Sequence, residues 1–177
     1  MSKAQISTLP MQGEDHIQGS IDAPFKLIEY GDYQCPYCGE AHEVVKQIQD
    51  RLGDQLCFVF RNFPLVQIHQ HAEHAAEAAE AADAQGRFWE MHDLLFENQR
   101  DLTDKDIQDY ATELGLDTKR LMAEVRTGAH TARIKKDLIS GKQNGVGGTP
   151  TFFVNGAPFE EEPTADSLIA ALTEPSE

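Results

Sequence analysis

Two short apolar runs separated by one amphipathic helix do most to limit what this chain can fold into. Phe25-Lys26-Leu27-Ile28-Glu29-Tyr30 follows the turn signal Asp22-Ala23-Pro24 and reads as a strand. Ala41, Val44, Val45, Ile48 and Leu52 then recur at helical spacing, and Gly53 supplies a stop. Leu56 to Arg61 is a second strand. Strand, helix and strand within about forty residues form a βαβ unit, which predicts a parallel pair.

The middle of the chain changes character, with no strand pattern from about His69 to Ser140. Ala72 to Ala84 is alanine-rich, with Glu73, Glu77 and Glu80 spaced along it as a solvated face. Phe88, Met91 and Leu95 mark a second helix after the break at Gly86. Thr103-Asp104-Lys105-Asp106 resembles a capping box for the stripe Ile107, Tyr110, Ala111 and Leu114. Leu121 to Val125 and Ile134 to Ile139 complete the helical block. Strand signals return at Thr151-Phe152-Phe153-Val154, and Asn155-Gly156 predicts a tight hairpin. Ala157-Pro158-Phe159 is its partner at a sheet edge, because proline gives no ladder donor. Thr164 caps a last helix through Leu172. The expectation is an α/β protein, a split sheet in residues 14–66 and 141–177 interrupted by an all-helical insertion over 67–140. Residues 1–13 read as a loose arm.

The composition narrows the partners. Of 177 residues 40% are hydrophobic, enough for a full core, and the net charge is −15. Such a charge opposes a phosphate-neutralising surface, so no nucleic acid is expected as partner. No run approaches the ~20 apolar residues of a membrane span, so no membrane insertion is expected. The first twenty residues, MSKAQISTLPMQGEDHIQGS, hold no apolar signal core. The chain is therefore expected in the cytoplasm if Met1 is its native start, and in the periplasm if a leader has been removed.

The chemistry is concentrated at Cys35-Pro36-Tyr37-Cys38, where the first strand gives way to the helix. Free backbone N–H groups and the helix dipole favour negative charge there, which lowers a thiol's pKa. Cys35 is thus the expected nucleophile, and Cys38, one turn deeper on the same face, the resolving thiol. Pro36 suits the first helical turn, since its missing N–H would have no partner. Tyr37 adds no charge between the thiols, which argues for a less oxidising couple than a histidine would give. The third cysteine, Cys57, lies in an apolar strand and reads as packing. A zinc site would need two more ligands from Cys57, His42 or the group His69, His71 and His74, without the usual second C-x-x-C. Those three histidines read as solvated residues at a helix start, and His42 as a residue that shades the thiols if protonated. No metal and no cofactor is expected.

Glu29 ahead of Cys35-Pro36-Tyr37-Cys38, and Gly147-Gly148-Thr149-Pro150-Thr151 before a strand, resemble the DsbA-like proteins of thioredoxin-like fold. Ile21-Asp22-Ala23-Pro24, Phe63-Pro64-Leu65 and Gly86-Arg87-Phe88-Trp89-Glu90-Met91-His92 within the insertion extend the resemblance over roughly residues 12–173. It implies a thioredoxin-like mixed sheet and a thiol-disulfide oxidoreductase acting on protein or peptide thiols, with a redox partner protein or glutathione. It also implies that Thr149-Pro150 is a cis-proline loop beside the cysteines, presenting the Thr149 backbone to substrate. Glu29 is implied as a buried acid taking the proton of Cys38. Tyr37 and Phe63 read either as an apolar substrate rim or as core packing. Two other readings compete: a DsbA-related glutathione-dependent transferase or isomerase, and a non-catalytic zinc- or partner-binding module on the same scaffold.

Overall fold

The computed structural model describes residues 10–11 and 13–175. Most of the predicted arm, residues 1–9 and 12, lies outside the described residues. The strands are β1 (His16–Gln18), β2 (Phe25–Gly31), β3 (Leu56–Asn62), β4 (Thr151–Val154) and β5 (Ala157–Pro158). The α-helices are α1 (Pro36–Leu52), α2 (Ala72–Asp83), α3 (Phe88–Glu97), α4 (Asp104–Glu113), α5 (Thr118–Thr127), α6 (Thr131–Gln143) and α7 (Ala165–Thr173). One five-stranded mixed sheet runs in the order β1-β3-β2-β4-β5, so the two strands of the βαβ unit are neighbours.

By contact the chain forms two compact units. One takes in residues up to Glu29, Glu43–Arg61 and residues from Thr151 onward; the other takes in Tyr30–His42 and Asn62–Pro150.

In the first unit, β2 and β3 are buried from Leu27 and Leu56 onward, on both faces. That explains their unbroken apolar sequence, which a sheet with one wet face would not show. The strand β1 was not expected. It pairs antiparallel with β3, His16 opposite Phe60 and Gln18 opposite Phe58. Gly19 ends it at φ +94, where a Cβ would stand 2.4 Å from the Leu56 carbonyl oxygen, so only glycine fits that close approach. At the other edge the hairpin forms as expected, with Asn155 at φ 49 and Gly156 at φ 87 and Phe153 opposite Pro158. Arg61, fully buried, reaches Asp15 through Nε at 2.8 Å and Nη2 at 2.9 Å, and Nη2 also donates to the Pro10 carbonyl at 2.9 Å.

In the second unit, α2 is the hub. Its alanines 72, 75, 76, 78, 79, 81 and 82 are all buried. A helix buried on nearly every side cannot carry a solvated face, and the reading of its glutamates as surface is corrected for two of them. Glu77 is 1% exposed and Glu80 4%. The small alanines let neighbours approach closely enough to satisfy both carboxylates. Glu77 accepts from the His130 backbone N–H at 2.9 Å and the Thr131 hydroxyl at 2.7 Å, supplying from a distance the cap that α6 lacks. Glu80 accepts from Asn62 Nδ2 at 2.8 Å, and Asp137 from the Asn62 backbone N–H at 2.9 Å. Burial pushes the Asp137 carboxyl up, against the lowering effect of Arg133. Thr103 and Thr164 each make the expected cap, in both cases as a full capping box. Replacing Glu77 by alanine strands two donors at the start of α6 and should cost about 3 kcal/mol, read as a lower denaturation midpoint.

Candidate active site

The segment between β2 and α1 is shaped by a residue that the sequence reading passed over. Asp32, 1% exposed, accepts from the Gln34 backbone N–H at 2.8 Å and the Leu65 N–H at 2.9 Å. Its Oδ2 also lies 2.7 Å from His69 Nδ1. The bond to Gln34, two residues on, is an Asx turn, and the Asp32 carbonyl in turn accepts from the Cys35 N–H at 3.1 Å. One side chain thus sets the path into the helix and ties it to the Leu65–His69 loop. The local signal was present: an aspartate three residues ahead of the helix-start cysteine.

Cys35 stands just before the first residue of α1, and its carbonyl accepts the N–H groups of Cys38 at 3.1 Å and Gly39 at 3.2 Å. Pro36 is the first helical residue, as its missing donor predicts. Cys35 is 4% exposed and Cys38 fully buried, both as thiols. The Cys35 pKa is lowered from 9.0 to about 5, chiefly by the hydrogen bond from the Cys38 thiol. Burial opposes the shift, while the Thr149 hydroxyl and the backbone N–H groups of Cys38 and Tyr37 reinforce it. The low pKa marks Cys35 as the attacking thiol, and Cys38 lies deeper behind it.

The loop carrying the second motif meets the first. The Thr149–Pro150 bond is cis, and the Thr149 carbonyl lies 3.5 Å from Cys35 Sγ. Glu29, the remaining implied site residue, is 1% exposed in β2 of the other compact unit, which excludes an exposed strand glutamate.

The two candidates for an apolar rim part company. Tyr37 is 69% exposed, whereas Phe63 is a core residue, edge-on to Tyr30 with centroids 6.2 Å apart and tight against Gly141. Two apolar side chains not singled out from sequence, Val66 and Ile68, are exposed on the loop that Asp32 anchors.

The histidines also differ from expectation. His69 is not a solvated residue but the partner of buried Asp32, while His74 pairs with Asp104 at 2.7 Å near the surface. His42 is buried, stacked on Phe96 and tilted against His92, with Nε2 3.7 Å from an Asp93 oxygen. Tyr33 OH meets His92 Nδ1 at 2.9 Å. Cys57 packs fully buried in β3, and desolvation pushes its thiol up. A last contact was invisible in the sequence. Gln99, just beyond α3, donates from Nε2 to the carbonyls of Tyr33 at 2.9 Å and Cys35 at 2.8 Å.

With strand, helix start, paired thiols and cis-proline loop in place, the chain can be set beside known proteins. A profile of the thioredoxin family matches residues 11–174. The chain belongs to that family. Its Cys35–Cys38 pair stands at the start of α1, beside the cis-proline loop at Thr149–Pro150. Among solved structures, BdbD from Bacillus subtilis superposes with TM-score 0.83 at 24% identity, over 96% of this chain and 98% of that one. A thioredoxin-like oxidoreductase from Silicibacter pomeroyi gives TM-score 0.80 at 27% identity, over 90% and 91%. Among curated sequences, the Na(+)/H(+) antiporter NhaA 1 of Mycobacterium sp. (strain KMS) is 42% identical over 160 residues, 89% of this chain but 26% of the antiporter. That of Salinispora arenicola is 42% identical over 159 residues, 90% of this chain and 24% of the other. The chain thus spans about a quarter of the length of those relatives.

Proposed function

We propose that the pair serves as a disulfide donor to protein and peptide thiols. The observation that carries this reading is the thiolate of Cys35 held at a pKa of about 5 at the accessible end of the pair. In the donor direction a substrate thiolate attacks Cys35 Sγ of the Cys35–Cys38 disulfide. That bond breaks, Cys38 leaves as a thiolate, and a mixed disulfide forms. A second substrate thiolate then attacks the substrate sulfur of the mixed disulfide and expels Cys35, a good leaving group because its pKa is low. The substrate leaves oxidised by two electrons and the enzyme is reduced by two. Glu29, buried in β2, keeps the proton-accepting role that the family resemblance implies for it. The Thr149 backbone, Tyr37, Val66 and Ile68 offer an extended apolar segment both main-chain pairing and contact area.

Re-oxidation falls to a redox partner protein or to glutathione disulfide. A donor of this kind works outside the cytoplasm, where thiols are not kept reduced; in the cytoplasm the same pair runs as a reductase. The antiporter relatives favour one narrower reading of the partner: a domain like this one acts beside ion-transport proteins at a membrane. Among the described residues no helix is long and apolar enough to cross a membrane itself.

Equilibration with glutathione buffers tests the direction. The couple is expected above about −200 mV, and a value below that overturns the donor reading. In the same preparation Cys38→Ser should trap mixed disulfides through Cys35, and Cys35→Ser should trap none. Membrane proteins among the trapped species would favour the narrower partner.

A further inference from the structure

We infer that Gln99 is a positioning residue of the thiol-exchange site, using both protons of its side-chain amide to hold the peptide groups that aim the helix start at Cys35. The inference rests on the thiol chemistry of the Cys35–Cys38 pair, and it concerns how the pair is tuned.

The geometry is specific. Gln99 Nε2 has two N–H bonds to give, and both go to carbonyls of the active-site segment, Tyr33 at 2.9 Å and Cys35 at 2.8 Å. These contacts span 66 and 64 residues of sequence, from the end of α3 to the turn before α1. The other end of the amide is seated as closely. A Cβ on Gly39 would stand 2.1 Å from Gln99 Oε1 and 2.7 Å from its Cδ, so the glutamine occupies the space that any other residue at 39 would fill. The sequence therefore pairs a glycine in the first turn of α1, where helix propensity disfavours it, with a glutamine in the insertion.

The electrostatic consequence falls on Cys35. Its carbonyl oxygen is the negative end of a peptide dipole on the same residue as the thiolate, and unopposed it disfavours the charge on Sγ. That oxygen accepts from the Cys38 N–H, the Gly39 N–H and Gln99, which draws its electron density away from the sulfur. The grip on Tyr33 and Cys35 together fixes the turn, so that the N–H groups of Tyr37 and Cys38 stay directed toward Sγ. Both effects favour the thiolate over the thiol and over the disulfide.

Three variants of the full chain test this. Gln99→Met keeps the length and loses the donors. Gln99→Glu keeps the shape and turns an oxygen toward the carbonyls. Gly39→Ala leaves Gln99 intact and pushes its amide out of its seat. The readouts are the thiolate absorbance near 240 nm against pH and the equilibrium with glutathione, with thermal melting of the oxidised protein, which lacks the thiolate, as the structural control. All three variants should raise the Cys35 titration midpoint by about one pH unit, Gln99→Glu most, and move the glutathione equilibrium about tenfold toward the protein disulfide. Gly39→Ala should do so without lowering the melting temperature, because alanine is the better helix former. A merely structural glutamine would lower melting temperatures and leave the midpoint unmoved, and that result overturns the inference. An unchanged midpoint in Gly39→Ala alone would do the same if the glutamine variants fail to fold.

Discussion

Between pH 5 and pH 9 the reduced form is expected to gain about 4 kcal/mol of stability relative to the oxidised form. The sign follows from Cys35. Its pKa falls from 9.0 in the ordinary thiol to about 5 in the folded protein, so the folded reduced chain releases its proton before the unfolded one does. A depressed pKa stabilises the fold fully above the unfolded value, and that contribution disappears as pH falls through the folded value. Each unit of separation is worth about 1.4 kcal/mol, so the thiolate supplies almost nothing near pH 5 and most of its effect by pH 9. The disulfide form lacks the Cys35 and Cys38 thiols and shares every other titrating residue, so the difference between forms isolates the thiol pair. Against this stands the bridge itself, which closes a very short loop and contributes about 2 kcal/mol with little pH dependence. The two curves should therefore cross within about one unit of pH 6.5, the reduced protein being the more stable above. Guanidinium unfolding of both forms at four pH values measures it. A difference that stays flat with pH would remove the electrostatic basis for a disulfide donor.

The second large effect lies far from the chemistry. Asp15→Ala should cost about 3–5 kcal/mol, because it takes the carboxylate from a guanidinium with no access to water. Arg61 is fully buried and its fork meets both oxygens of Asp15 at 2.8 and 2.9 Å. Its bond to the Pro10 carbonyl cannot replace the lost charge. For a domain of this size the melting temperature should drop by about 10 °C or more. Replacing both partners together, as Asp15→Leu with Arg61→Met, should recover much of the loss, since no buried charge is then left unpaired. A single Asp15→Ala change costing under about 1 kcal/mol would show that the pair is solvated in solution.

The features legible in the sequence are those whose cause is local. β2, α1 and β3 announce themselves through apolar runs and period, the hairpin through Asn155-Gly156, and the caps through Thr103 and Thr164. Cys35 and Cys38 were readable for the same reason: a thiol at a helix start is a short-range arrangement. What escaped depends on distant partners. β1 is three residues long and exists because Phe58–Phe60 offer it a ladder. Glu77 and Glu80 look like surface until α2 is enclosed by the helices around it. His69 takes its role from Asp32, and Gln99 from carbonyls more than sixty residues away. Phe63 reads equally as rim or as core, because aromatic residues near a site look alike from sequence, whether they face inward or outward.

Cys57 gives the molecule a property separate from its fold. An odd number of thiols ordinarily invites scrambling, in which the wrong sulfur captures an intermediate or links two chains. Here the third sulfur is sealed in β3 and held in its protonated, unreactive form by the same burial that packs it. Electron flow is thereby confined to one two-electron couple. A mixed disulfide on the native protein has a single point of attachment, and the enzyme keeps its own bookkeeping of oxidising equivalents unambiguous.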